Sequence, residues 1–192
     1  LVKVEKIHHT VATCYRDRGL LEPTVSKQWF IKVEPLTKKV LLAIKNKEVR
    51  FAAKKYEKIA IHWLKNLKDW NISRQIVWGM QIPAWRCEKC MEWMVSDQAE
   101  PVECPKCGHA KLTQDPDTFD TWFSSGQWPF ATLQSREIPN SKFQIPNSEK
   151  SKSDFDLFYP TTVMETGYDI LPFWVIRMLM LGIYATGKVP FE

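Results

Sequence analysis

A chain of 192 residues that is 44% hydrophobic and 12% aromatic can bury a real core in one or two domains, and its first 30 residues hold no apolar run long enough for a signal peptide. The net charge of +5 hides an asymmetry: residues 1–70 carry 16 Lys/Arg against 7 Asp/Glu, and residues 71–192 carry 11 against 15. The basic first third either suits a polyanion such as RNA or is a solvated lysine-rich face.

In chain order, residues 7–33 read as extended. VATCY (11–15) and QWFIKV (28–33) are β-branched and aromatic, with a turn between Gly19 and Pro23. Pro35 opens a helix whose Leu36, Val40, Ala43 and Ile44 share a face. A second helix covers about 55–67, with Tyr56, Ile59, Ala60, Trp63, Leu64 and Leu67 at helical spacing and lysines outside that stripe. Residues 72–86 predict one or two short buried strands around Gly79 and Pro83.

Cys87 and Cys90 form one C-x-x-C pair and Cys104 and Cys107 another, with 13 residues between them. Two such knuckles can bring four thiolates to one tetrahedral Zn²⁺. The alternatives are a degenerate ribbon without metal or two disulfides. Five cysteines, four with metal spacing, favour a reducing, cytoplasmic setting. Trp-rich stretches flank the ribbon on both sides, so it reads as an insertion inside a larger domain.

After the ribbon, WFSSGQWPF (122–130) predicts a short helix broken at Gly126 and Pro129. Residues 134–156, with IPNS at 138–141 and again at 145–148, predict a mobile surface loop. TTVMET (161–166) reads as a strand, Gly167 as its turn and Asp169 as the N-cap of a buried helix. The apolar run 170–185 is shorter than a membrane span needs and has Arg177 at its middle, so it reads as a core helix and no membrane is expected. Strand, glycine turn and helix together point to an α/β nucleotide-binding sheet, whose ligands sit at the carboxyl ends of strands.

The order DWNISRQ, WG, IPAW, paired cysteines, DTWFSSGQWP, FYPTTVMETGYDI and FW resembles the valyl branch of the class I aminoacyl-tRNA synthetases. The resemblance spans nearly the whole chain and is strongest over 61–133 and 158–182. It implies an α/β fold: a partial Rossmann-like catalytic domain with an inserted zinc ribbon. The implied division is 1–33 as closing strands of the editing insertion, 34–86 as the return to the catalytic domain, 87–112 as the ribbon, and 113–192 as the second catalytic half. The His-Ile-Gly-His and Lys-Met-Ser-Lys-Ser signatures of that class do not occur here, so the chain reads as an internal piece of a longer enzyme and no catalytic residue is named.

The resemblance assigns Trp78, Ile170 and Trp174 to a valine pocket; two indoles and an isoleucine can make a small, rigid, apolar slot. The bland reading is that they are core. Gly167 and Asp169 correspond to the turn that holds the adenylate sugar, which is compatible with a capping role. Implied co-substrates and partners are ATP with Mg²⁺, valine, tRNA(Val) and the remainder of the same polypeptide. Asp120, Trp122 and Ser124–Gly126 either line the path of the tRNA acceptor end or dock the ribbon onto the catalytic sheet. Two departures stand out. Met80 replaces the histidine usual after the WG pair, and Asp17 stands where a partner for Cys14 is usual, which puts a second metal site in doubt. Other readings are a non-catalytic zinc-ribbon RNA-binding module or an isoleucyl or leucyl relative.

Overall fold

The computed structural model describes residues 2–97, 101–134 and 153–192. Most of the predicted repeat loop, residues 135–152, lies outside the described residues.

Residues 2–27 do not form the predicted strands. They run exposed, with a single antiparallel bridge between Thr13 and Leu20. β propensity in VATCY is not enough where no neighbouring ladder is present. Regular structure begins at β1 (Phe30–Ile31), which pairs antiparallel with β2 (Trp70–Asn71). Between them lie α1 (Glu34–Lys45) and α2 (Lys54–Asn66), both where the apolar periodicity places them. Pro35 occupies the first turn of α1, where its missing N–H costs nothing, and Asp69 Oδ1 accepts from the Val33 amide at 3.2 Å.

The predicted strands of 72–86 are real only at the ends. β3 (Ser73–Arg74) pairs with β7 (Thr118–Phe119), and β4 (Ala84–Cys87) enters the ribbon. Between them Ile76, Val77, Trp78 and Met80 are exposed rather than buried. Gly79 is held in this loop by φ +151° and by Thr118, whose Cβ lies 2.9 Å from where a glycine-borne Cβ would stand. The ribbon itself is a three-stranded antiparallel sheet in the order β5 (Trp93–Val95), β4, β6 (Leu112–Gln114).

β7 leads into α3 (Thr121–Ser125) and α4 (Trp128–Gln134). The break falls at Gly126–Gln127; Pro129 lies in the first turn of α4 and begins that helix rather than breaking it. Gly126 is there because α3 crosses the last helix closely: an added Cβ would meet Leu181 Cδ1 and the Trp122 carbonyl, each at 2.9 Å. Ser153 then caps α5 (Asp154–Phe158) through a reciprocal bond pair with Asp156.

TTVMET is not a strand. Only Thr161 pairs, through one parallel bridge to Phe191, because no longer ladder is available to it among the described residues. The final helix is composite: a 3₁₀ turn (Tyr168–Ile170), a π segment (Leu171–Val175) and α6 (Ile176–Thr186). Gly167, not Asp169, takes the N-cap position, and no side chain caps it. Tyr168–Thr186 is long and apolar enough to cross a membrane by composition, and within it Leu171, Val175, Ile176 and Met178 to Leu181 are buried in the core. Ile176, Met178, Leu179 and Met180 pack with Val40, Ala43 and Ile44 of α1 and with Ala60 and Leu64 of α2.

Candidate functional site

The two C-x-x-C turns share one backbone pattern. The Cys87 amide donates to the Glu92 carbonyl and the Met91 amide returns to the Cys87 carbonyl; Cys104, His109 and Gly108 repeat this. Each turn needs one left-handed residue directly after its second cysteine, Met91 at φ 63° and Gly108 at φ 66°. The result is a convergence of four Sγ atoms within 4.8 Å of one another. Cys87 and Cys107 Sγ lie 3.6 Å apart, and Cys90 and Cys104 Sγ 3.7 Å apart. These are too long for disulfides, and all four cysteines are free. A tetrahedral ion with ~2.3 Å metal–sulfur bonds sets sulfur–sulfur edges of about 3.8 Å, so the donor set fits one metal ion.

The electrostatics agree with a site built for a cation. The Cys90 amide, then that of Lys89, together with the Cys90 and Cys107 thiols, holds Cys87 down at about 6 against the pull of burial. For Cys90 the Glu92 amide favours the thiolate, but burial and the neighbouring sulfurs outweigh it and push the thiol up to about 11. Four sulfurs this close cannot all carry charge without a counter-ion.

A third turn repeats the knuckle backbone. The Cys14 amide donates to Gly19 O, the Arg18 amide to Cys14 O, and Arg18 sits at φ 60°. Here the second ligand position is Asp17. Its Oδ1 accepts from the Gly19 amide at 2.9 Å, and that bond, with help from the Cys14 thiol, holds the carboxyl below its usual range. We assign no metal to this turn.

The other predicted site residues fall into two places. Trp78 is 88% exposed on the Gly79 loop, and it has no ring partner among the described residues. Trp174 lies in the π segment. Its Nε1 donates to Ser125 O at 3.1 Å and its ring tilts against Trp128 with centroids 6.4 Å apart. Ile170 closes the 3₁₀ turn, so it and Trp174 do not share one continuous α-helix as predicted. Asp169 is exposed and folds back over Gly167: Oδ1 lies 2.6 Å from where a Cβ on Gly167 would stand. That oxygen is the tip of an exposed, flexible side chain, so neither the contact nor the φ of −57° demands a glycine at 167.

Asp120 has a structural role. Its buried carboxylate accepts from Trp70 Nε1 at 2.9 Å and pairs with Arg74 at 3.3 Å, while its amide bonds Ile72 O. Sequence reasoning missed three things. One is the link from Trp29 Nε1 to Asp115 Oδ2 at 2.9 Å, across 86 residues. Another is the packing of Trp29 edge-on against Trp93 of the ribbon. The last is the place of Arg177 among three aromatic rings. Only the lone charge of Arg177 in an apolar run was a visible signal.

Against known proteins, the profile of the class I tRNA synthetases (I, L, M and V) matches residues 5–192. The chain belongs to the class I tRNA synthetases. Within this synthetase family it is 42% identical over 191 residues to a valine–tRNA ligase of Pseudothermotoga lettingae, covering 100% of this chain and 21% of that protein. It is 44% identical to one from Dehalococcoides mccartyi and 45% to one from Nitratidesulfovibrio vulgaris, in each case over 192 residues, 100% of this chain and 20% of the relative. The chain thus spans about a fifth of the length of the curated relatives it matches.

Proposed function

We propose that these residues form part of the catalytic domain of a cytoplasmic valine–tRNA ligase. That enzyme joins valine to ATP, with Mg²⁺, as valyl-adenylate and then transfers valine to tRNA(Val). The observation that carries the reading is identity of 42–45% over the whole chain to proteins named valine–tRNA ligase. A stand-alone RNA-binding ribbon does not account for a family match that runs far beyond the ribbon, over 5–192.

In this reading the metal is Zn²⁺, held by Cys87, Cys90, Cys104 and Cys107. It supplies structural cross-linking and takes no part in the reaction. The parallel Thr161–Phe191 bridge across α6 supports a Rossmann-like sheet completed by the rest of the polypeptide. Asp169, exposed beside a glycine, offers two carboxylate oxygens to a ribose diol. Trp174, Ile170 and Trp78 would form the valine slot. Trp78 is left uncovered here, which fits a residue that packs only when the remaining polypeptide and the amino acid are in place. Catalysis would be by positioning and charge stabilisation, with the charged signature motifs supplied from elsewhere.

The test is valine-dependent ATP–pyrophosphate exchange by the full-length gene product, with isoleucine and leucine as competitors. Preference for either over valine refutes the assignment. In that enzyme Trp174→Ala is expected to impair valine use far more than ATP use, losing on the order of 3–5 kcal/mol of packing if the indole is enclosed. Asp169→Ala should weaken adenylate binding with less effect on amino-acid choice. The reverse pattern would exchange the two roles. The 192 residues alone, lacking both class I signatures, should not activate valine.

A further inference from the structure

Arg177 is the only charge in the apolar run 170–185, and it is half buried. Its guanidinium carbon lies 4.3 Å from the Trp70 ring centroid, 5.9 Å from Trp122 and 5.8 Å from Phe173. The nearby buried carboxylate, Asp120, is already engaged by Trp70 Nε1 and by Arg74. Burial lowers the pKa of Arg177, Asp120 opposes that, and Arg74 adds to it. A leucine or methionine would fill such a place with no charge to desolvate. The arginine therefore does something an apolar side chain cannot.

Its hydrogen bond stays within its own helix, and it faces α3 through the Trp122 ring, 5.9 Å from the guanidinium carbon. Arg177 Nη1 donates to Phe173 O at 3.0 Å, inside the π segment. The Phe173 ring stacks on Trp122 of α3, centroids 6.2 Å apart at 28°. The next residue, Trp174, is bonded to Ser125 O at the other end of α3. Arg177 and the Trp174 indole are thus two ends of one clamp. Gly126 lets α3 approach this helix through Leu181 Cδ1, 2.9 Å from its hypothetical Cβ, while Arg177 Cβ at 3.5 Å is an ordinary contact beside it. Short π segments are strained and recur at functional sites, where a side-chain donor can hold a geometry that helix bonding alone does not.

We propose that Arg177 is a positioning residue for amino-acid selection: it fixes the π segment against α3 and so sets the plane of Trp174. The proposal rests on the reading that Trp174 lines the valine slot. In this role Arg177 acts through Phe173 and Trp174 rather than by contact with a substrate.

The test uses the full-length enzyme with Arg177→Met, Arg177→Lys and, as reference, Trp174→Ala. Pyrophosphate exchange is measured against valine, isoleucine and ATP, with melting temperature alongside. Arg177→Met is expected to raise KM for valine by roughly tenfold, the size of one lost charged hydrogen bond, while KM for ATP stays within about twofold. The valine-to-isoleucine ratio of kcat/KM should fall with it. Arg177→Lys keeps the charge but not the planar fork, so it should show the same split at smaller size, and it carries the test where Arg177→Met does not accumulate. A wild-type KM for valine in the Arg177 variants, with Trp174→Ala impaired, overturns the proposal and leaves the slot standing. Valine and ATP constants that rise together with a lowered melting temperature also overturn it, since that is the mark of a purely structural arginine. A wild-type KM for valine in Trp174→Ala removes the slot itself and the proposal with it.

Discussion

The helical layer and the cysteine ribbon lie in one chain but are held by different forces. α1, α2, the composite helix and their flanks share a cluster of 13 buried apolar residues. Between Ala84 and Gln114 only Ala84, Trp85, Cys87 and Cys104 are buried among the described residues, and two of those belong to the four-thiol cluster. A layer that removes many side chains from water can hold itself together at about 25 cal/mol per Å². A short sheet that buries four residues cannot, and on the proposed reading draws its stability from an ion held at its knuckles. The lesson is that a short sheet with a thiol cluster adds little to the apolar core.

The sharpest way to break the comparison is to remove a ligand. Structural zinc in comparable small sites is worth about 10–16 kcal/mol. Cys87→Ser, or chelation, should abolish metal content and hydrogen-exchange protection in β4, β5 and β6 while α6 stays protected. Elemental analysis with exchange mass spectrometry reads both. Equal loss of protection in α6 would mean that the two regions fold as one unit. The complementary change is Leu179→Ala, at a fully buried position. It should cost about 2–5 kcal/mol in denaturant melts with metal content unchanged.

The same division explains what could be read in advance. α1 and α2 were legible because one apolar stripe per helix is enough to bury against a neighbour, and Val40, Ala43, Ile44, Ala60 and Leu64 are that stripe. The four-thiol cluster was legible because ligand chemistry constrains spacing directly. What failed was what depends on partners far along the chain. VATCY and TTVMET have strand composition, but a strand needs a ladder, and each finds only one bridge. Asp169 looked like an N-cap because capping is read locally, while the chain instead enters the helix through Gly167, a 3₁₀ turn and a π segment containing Pro172. The contact of Trp29 with Asp115 spans 86 residues and leaves no periodic trace.

That contact is where the two regions are coupled. Trp29 precedes β1, and its indole reaches both Asp115, just past the ribbon's last strand, and the Trp93 ring in β5. Trp29→Phe keeps most of the apolar area and removes the hydrogen bond to a buried carboxylate, which should cost about 1–3 kcal/mol. A double-mutant cycle with Asp115→Asn should return a coupling energy of about 0.5–3 kcal/mol. Additivity of the two changes would show that the Trp29–Asp115 hydrogen bond does not couple the regions and leave the Trp29–Trp93 packing as the link.

The smallest effect expected is at the ribbon's ion pairs. Glu92 meets Lys106 across the two knuckles, and Glu88 Oε2 meets Lys111 at 3.0 Å. The hydrogen bond from its lysine holds each glutamate below the usual carboxylate range. A depressed carboxylate contributes stability that is present at neutral pH and lost as pH falls through its folded value. Both pairs are exposed, so solvent and salt screen them and little is there to lose. The thiolates behave differently, because protonating them removes the metal itself and with it the ribbon. Acidification should therefore release metal at the same midpoint in the parent and in the Glu88→Gln and Glu92→Gln variants, with no resolvable change in melting temperature at pH 7. Titration with a chromogenic chelator in low and high salt measures that midpoint. A midpoint that moved with either glutamate, and more so in low salt, would make surface charge a second support of the ribbon and blur its contrast with the apolar layer.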